Sequence, residues 1–274
     1  LATQGSEQRM KPTVSVIIPV YNGAAEVRRA IDSALAQVDS DVEVIVLNDG
    51  SKDDTRAVLD SYGGRIRAIH QQNSGLAQTR NNGIAAAKGE WVAFLDHDDY
   101  WTAEKLSEQL KAAERTGADV VYTNAGNSGD VGRVAELRSE PSAMLEGDLL
   151  EALLLDNFIV VSSVMIKRKV IQEHQGFNAG LPCVEDWDLW LRLSANGVRF
   201  AAVREPVTMY QWRAGSMSKN FELMRATRKK IVGEALKAQR AKKLPWSVRR
   251  RAMASIESCS AWFLAGTSPR RACN

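Results

Sequence analysis

Much that would give a sequence away at once is missing here. The 274 residues include 3 cysteines, Cys183, Cys259 and Cys273, odd in number and widely spaced. That fits neither a disulfide framework nor a zinc site, and points to plain reduced thiols in a cytoplasmic protein. No apolar run approaches the roughly 18 residues that a membrane-spanning helix needs. The opening LATQGSEQRMKP is polar, without the apolar middle of a signal peptide, so residues 1–12 read as a disordered leader. No G-x-x-x-x-G-K-S/T stretch occurs, which excludes a P-loop. No G-x-G-x-x-G follows a strand, which argues against a dinucleotide oxidoreductase. Low-complexity tracts are absent, and 45% hydrophobic with 25% charged residues is ordinary globular composition.

Acidic residues are scarce at one end. Residues 219–274 hold 14 Lys and Arg against 3 acids, whereas the rest of the chain holds 22 against 30. A basic end on an acidic body points to an anionic partner such as a membrane surface, or to no more than a solvated helical face. Nucleic acid is not among the partners expected.

What is present is a repeated pattern. VSVIIPVYN is a continuous apolar run rich in β-branched residues and closed by Pro and Asn, the pattern of a buried strand with a turn at its carboxyl end. Ala24 to Val38 carries apolar residues at helical spacing. VEVIVLNDGS repeats strand then turn, and DDTRAVLDSY reads as a second helix with Asp53 as its N-cap. IRAIHQ is a third strand, LAQTRNNGIAAAKG a helix ending at Gly89, EWVAFLD a fourth strand, Ala103 to Thr116 a fourth helix, and DVVYTN a fifth strand. Four strand–helix units in succession predict an α/β fold, a mostly parallel sheet flanked by helices on both faces. Such sheets bind ligands outside the carboxyl ends of their strands. Here those ends are Pro19 to Asn22, Asn48 to Ser51, Gln71 to Gly75 and Asp96 to Asp99. A loop or hairpin is expected from Asn124 to Gly132. It is followed by a strand near VVSSVMIKR, a turn at QGFNAGLP, a helix from about Asp186 and a short strand RFAAV. Two basic helical stretches, about Phe221 to Lys243 and Trp246 to Leu264, end the chain, with Pro245 between them.

Chemistry concentrates in a few places. The fourth strand runs into Asp96, His97, Asp98 and Asp99, like charges that repel unless something positive is near. A helix cap or surface charge accounts for one such acid. Clustered hard oxygens suit Mg²⁺ or Mn²⁺, which are commonly held by one or two carboxylates plus substrate phosphates. His97 alternates to the other side of an extended chain and reads as a non-ligand. Asp49 can accept a hydrogen bond from a base or a ribose hydroxyl, or be no more than the start of an Asp-Gly turn. In EDWDLWLRL, Glu185 and Asp186 head a helix, and acids in a first turn suit the helix dipole whatever the function. Trp187 and Trp190 are core residues or a platform for an acceptor sugar.

VSVIIPVYN, VIVLNDGSKDDT, NSGLAQTRNNGIAAAKGEWVAFLDHDD and EDWDLWLRL, in that order, resemble family 2 of the glycosyltransferases, which have the GT-A fold. The resemblance runs from about Val14 to Ser218. It implies a GT-A domain over residues 13–218, with a nucleotide-sugar half (13–124) and an acceptor half (125–218), and a basic helical extension over 219–274. It implies Pro19, Tyr21 and Asn22 along the donor nucleotide, Asp49 on the base, and Asn73, Gly75 and Arg80 on the diphosphate side. Asp96 and Asp98 match the D-x-D motif, Asp98 being the metal ligand. Glu185 and Asp186 match the acceptor-activating pair, with Asp186 as general base. The implied reaction is an inverting transfer from a nucleoside diphosphate sugar, a UDP-sugar first, to a polysaccharide or lipid-linked glycan, with Mg²⁺ or Mn²⁺. An inactive nucleotide-sugar or glycan-binding module and a sugar nucleotidyltransferase are the alternatives. The chain departs from the family at YQWRAGSMS, where Arg213 stands in place of a frequent His. Arg grips phosphate oxygens but does not ligate a cation, which puts metal dependence in doubt.

Overall fold

The structure, a computed structural model, describes residues 12–129, 137, 139–212 and 221–264. The expected leader up to residue 11, and Arg213 and Ser218, lie outside the described residues.

Eight strands form one sheet: Val14–Val20 (β1), Val42–Asp49 (β2), Arg67–Gln71 (β3), Trp91–Phe94 (β4), Tyr100–Trp101 (β5), Val120–Gly129 (β6), Val164–Lys167 (β7) and Phe200–Trp212 (β8). Their order is β3-β2-β1-β4-β7-β6-β8-β5. The first four are parallel. β7 runs antiparallel to both β4 and β6, while β8 is parallel to β6. The sheet is therefore mixed but mostly parallel, in keeping with the GT-A architecture expected.

Strand periodicity divides the core in two. Val14, Val16 and Ile18 point to one face with Val44, Val46 and Ala93. There they meet Ala30 and Ile31 of Val27–Leu35 (α1), Leu59 of Thr55–Asp60 (α2) and Leu106 of Lys105–Thr116 (α4). Ile17, Ile45, Leu47, Val92 and Phe94 point to the other face. They pack under Leu76–Ala86 (α3), Leu150–Leu155 (α5), Glu185–Ala195 (α7), Phe221–Ala235 (α8) and Trp246–Leu264 (α10), elements that share one continuous cluster. Two short helices, Arg168–Glu173 (α6) and Gln239–Lys242 (α9), complete the set among the described residues. Burial on both faces explains why β1 reads as an unbroken apolar run. Pro19 costs this central strand little. Pairing of β1 with β4 ends at Ile17 and Phe94, so the missing N–H falls where the ladder has already stopped.

Three expectations are corrected. The loop from Asn124 is instead a continuation of β6 to Gly129. After a register shift at Asn124 it pairs in parallel with the far half of β8. Asn124 makes the irregularity tolerable: its Oδ1 accepts from Ala125 N and Ser139 N, and its Nδ2 donates to Ser139 O. RFAAV is the start of a 13-residue strand. Asp53 is not the N-cap of α2, which starts one residue later on Asp54. The Asp53 carboxylate instead accepts from Thr55 N and, across the loops, from Ala24 N.

Candidate active site

The loops after β1, β2 and β3 are stitched together at the carboxyl edge of the sheet. Asn22, at a left-handed φ of 51°, donates its N–H to Ser51 Oγ and accepts from Lys52 N through Oδ1. Tyr21 beside it is 44% exposed, an uncovered ring at the edge. Gly50 has φ 76° and lies so close to the next loop that a Cβ would come 2.8 Å from Asn73 N, so glycine is required on both counts. Asp49 is buried and locks that next loop: it accepts from Ser74 N and Gly75 N at 2.8 and 3.0 Å and from Gln71 Nε2 at 2.8 Å. Burial raises its pKa, but these donors outweigh it and hold the carboxyl below the usual range. Asn73 and Gly75 remain exposed on the same rim.

The acids after β4 have separate environments. Asp99 is buried, accepting from Ser162 Oγ at 2.5 Å and from Gln211 N at 2.8 Å. Burial, then Asp96 and Asp98, push its pKa well up. It ties the end of β4 to β8 and is turned inward. Asp96 and Asp98 are half-buried. His97 lies over the loop after β1, where a Cβ on Gly23 would come 2.5 Å from its ring, and this contact brings the fourth strand end against the first. Arg29, which the sequence did not single out, donates to Asp98 O and to Gln211 Oε1 while stacking 4.3 Å from the Tyr100 ring.

Glu185 and Asp186 arrive from 90 residues further on, in the first turn of α7. Val184 precedes them at a φ of 53°, rare for a β-branched residue, which swings the chain into the helix. Arg80, on α3, joins the two regions: Nη2 is 2.7 Å from Asp96 Oδ1 and Nη1 is 2.6 Å from Glu185 Oε1. Asp186 accepts from Asn157 Nδ2 and from Trp187 N. Burial, then Glu185, push its pKa up to about 6 while Arg80 opposes them. Trp187 and Trp190 are 2% and 0% exposed, so both belong to the core and neither offers a face to a sugar. Asp49 reaches the same assembly through Gln71, whose Nε2 also donates to Thr79, the neighbour of Arg80.

Among the described residues no group of three or more His, Cys, Asp and Glu side chains is arranged as a metal cage. The carboxylate of Asp98, half-buried at the rim, would nonetheless suit a Mg²⁺ or Mn²⁺ that draws its other oxygens from a diphosphate and water, since such ions need only one or two carboxylates. A cavity of about 580 Å³ lined by Gly176, Asn178, Arg192 and neighbours takes in none of these acids. The candidate site is the open rim of the sheet. Sequence reasoning missed Asn157, Ser162, Gln211 and Arg29. Each acts across more than 25 positions, and no local pattern announces it.

Comparison with known proteins bears on the family and the fold. A Rickettsia felis protein described as an uncharacterized glycosyltransferase is 38% identical over 188 residues, 66% of this chain. The match covers 31% of that relative, so the chain spans about a third of its length. An Escherichia coli protein, the UDP-Glc:alpha-D-GlcNAc-diphosphoundecaprenol beta-1,3-glucosyltransferase WfaP, is 31% identical over 211 residues, 76% of this chain and 80% of WfaP. Residues 1–349 of S. aureus TarS share the fold, with a TM-score of 0.69 at 21% identity over 95% of this chain and 76% of that fragment. TarS has also been solved in complex with UDP-GlcNAc. The model of "Glycosyl transferase family 2" matches residues 15–174, a stretch that contains the ends of β1, β2, β3 and β4 and stops short of Glu185 and Asp186. A match over more than half of the chain, with relatives above 30% identity across three quarters of it, means that the chain belongs to glycosyl transferase family 2.

Proposed function

We propose that this chain is an inverting glycosyltransferase that moves a hexose from a UDP-sugar to a hydroxyl of a polysaccharide or lipid-linked glycan. The carrying observation is that Arg80 binds Asp96 at the end of β4 and Glu185 beside Asp186, so that donor-side and acceptor-side acids share one rim. The UDP-sugar in the name of WfaP and in the TarS complex supports the donor class, and the name of WfaP supports a lipid-linked acceptor.

In this reading Pro19, Tyr21 and Asn22 flank the nucleotide, Asp49 meets the base, Asn73 and Gly75 line the diphosphate, and Asp96 meets the ribose. Asp98 holds Mg²⁺ or Mn²⁺. When bound, the ion neutralises charge on the departing diphosphate. Asp186 takes the acceptor proton on the face of the sugar opposite the leaving group. The acceptor oxygen then bonds the anomeric carbon as the bond to diphosphate breaks, and configuration inverts. With its pKa near 6, Asp186 is ionised at neutral pH and a better base than an exposed aspartate. Arg213, outside the described residues, grips the diphosphate. The basic end rests on an anionic membrane face at the cytoplasmic side, beside a lipid-linked acceptor.

Asp186→Asn is expected to bind UDP as the parent does and to lose roughly 10²–10⁴ in transfer rate. Full activity would remove it as the base. Asp98→Ala is expected to weaken UDP binding with Mn²⁺ and to leave metal-free binding unchanged in titration calorimetry. Equal affinity with Mn²⁺ would remove Asp98 as the ligand. Release of pyrophosphate from a nucleoside triphosphate and sugar phosphate would instead support the nucleotidyltransferase. Binding without turnover over a broad acceptor panel would support the inactive module.

A further inference from the structure

Arg80 is among the largest fully buried side chains of the protein, and it carries a charge. Burial disfavours that charge, but Asp96 and Glu185 on either side outweigh burial and hold the guanidinium protonated. Its Nη atoms are engaged by the two carboxylates at 2.7 and 2.6 Å, and its Nε is buried without a partner. The Phe177 ring lies 5.3 Å from the guanidinium carbon. Phe177 is itself fixed, since Asn81, the next residue of α3, accepts from its N–H and donates to its carbonyl. With the side chain 2% exposed, the guanidinium has no open path to a ligand in the cleft.

We propose that Arg80 is a positioning residue, a clamp that sets the spacing between Asp96 on the donor side and the first turn of α7 on the acceptor side, and that it is not a ligand of the diphosphate. The inference rests on the glycosyl-transfer reading of the same site. A planar fork with five donors can span two carboxylates, whereas a lysine is a single point of charge and cannot hold both in place. A small displacement of a base from its reaction geometry lowers rate far more than it lowers affinity. Arg80 also eases ionisation of Asp186. Among the described residues, the charged groups that act most on Asp186 are Glu185 on its own helix and Arg80 from α3. Asn157 adds a neutral donor, and Arg228 of α8 lies over the neighbouring Trp187 ring. Without Arg80, burial and Glu185 act on Asp186 against only the hydrogen bonds from Trp187 N and Asn157.

The test is steady-state transfer and UDP titration calorimetry for Arg80→Lys and Arg80→Gln with Mn²⁺ between pH 5 and 9. Both variants are expected to keep UDP affinity and to lose kcat, by roughly 10²-fold for the Gln variant. The acidic limb of the kcat profile moves above its parental position in Arg80→Gln and stays nearer to it in Arg80→Lys, which keeps the charge. Loss of UDP affinity at unchanged kcat, or a limb that does not move, would overturn the clamp. If Arg80→Gln does not fold, Glu185→Gln frees one arm conservatively, and a weakened UDP affinity there would count equally against the proposal. A parent protein that transfers no sugar would defeat the glycosyl-transfer reading. Carbon-13 NMR titration of the Asp186 carboxyl in the parent and Arg80→Gln then decides on Arg80 alone: a midpoint raised in the variant supports the clamp and an unchanged one rejects it.

Discussion

Individual residues at the rim answer pH in opposite directions. Asp49 has a folded-state pKa below its ordinary value, because two backbone N–H groups and Gln71 favour the anion. Its contribution to stability is present above the unfolded pKa and is lost as pH falls through the folded one. Asp186 is the reverse. With its pKa raised from 3.8 to about 6, the folded state retains a proton that the unfolded chain releases between those values. Stability therefore declines as pH rises through that window, and the cost is complete above it. Asp186→Asn is expected to be more stable than the parent at pH 8, by as much as about 3 kcal/mol. The two should converge below about pH 4, where the acid is neutral. Urea unfolding at both pH values measures this, and equal stability at pH 8 would show that Asp186 is not held in an unfavourable charged state. A variant that is inactive yet sturdier is what a residue kept for chemistry predicts. With Asp186 as the proposed base, transfer is expected to fall with decreasing pH around a midpoint near 6, read from kcat.

Among the elements, α3 bears most directly on the site, since it carries Arg80 and Asn81. Its seat on the sheet depends on Gly83, where a Cβ would come 2.5 Å from Ile17 Cγ2 and 3.0 Å from Leu47 Cδ1, both on fully buried residues. Alanine is preferred over glycine in a helix by about 1 kcal/mol, but overpacking a close-packed contact costs about 1–3 kcal/mol. Gly83→Ala is therefore expected to lower stability by about 1 kcal/mol and, by tilting α3, to lower transfer activity as well. A raised urea midpoint would contradict this. The elements also divide by legibility. β1, β2 and β4 were readable because strands buried on both faces are written as apolar runs. The far halves of β6 and β8 were not. Asn127 and Ser128 look like loop residues, and they are strand only because Tyr210 and Gln211 lie alongside in register. The candidate acids of the site were legible by type and by position at strand or helix ends. Their roles in holding one another, as with Asp99 on Ser162, were not.

At the scale of the whole molecule, the charge asymmetry of the sequence becomes a surface. α8 and α10 pack their apolar sides against α5 and α7, burying Ile231, Val232 and Ala252 in the common core, while Lys242 and Lys243 at the end of α9 and Arg250 of α10 are exposed. Trp246, 70% exposed, lies with its ring 5.2 Å from the Arg250 guanidinium carbon on that outer side. No helix among the described residues is long and apolar enough to cross a membrane. An exposed Trp amid cations is the chemistry of an interfacial contact, each Lys or Arg adding roughly 1 kcal/mol at an anionic surface. We predict that the protein co-sediments with phosphatidylglycerol vesicles at low salt, is released at high salt, and binds less as Trp246→Ala with Arg250→Glu. Failure to sediment at low salt would end that idea while leaving the enzymatic reading intact.

The sequence by itself determined the repeated strand–helix order, the two-faced burial of the central strands and the kinds of side chain that end them. Those follow from periodicity and residue chemistry, which are local. Only the tertiary structure decided that β7 enters the sheet antiparallel, that Asp99 turns inward while Asp96 and Asp98 stay at the rim, and that Arg80 spans from α3 to both Asp96 and Glu185. These depend on groups 16 to 112 positions apart meeting in a low-dielectric interior, where a charge is stable only beside its partner, and no local pattern encodes such a meeting.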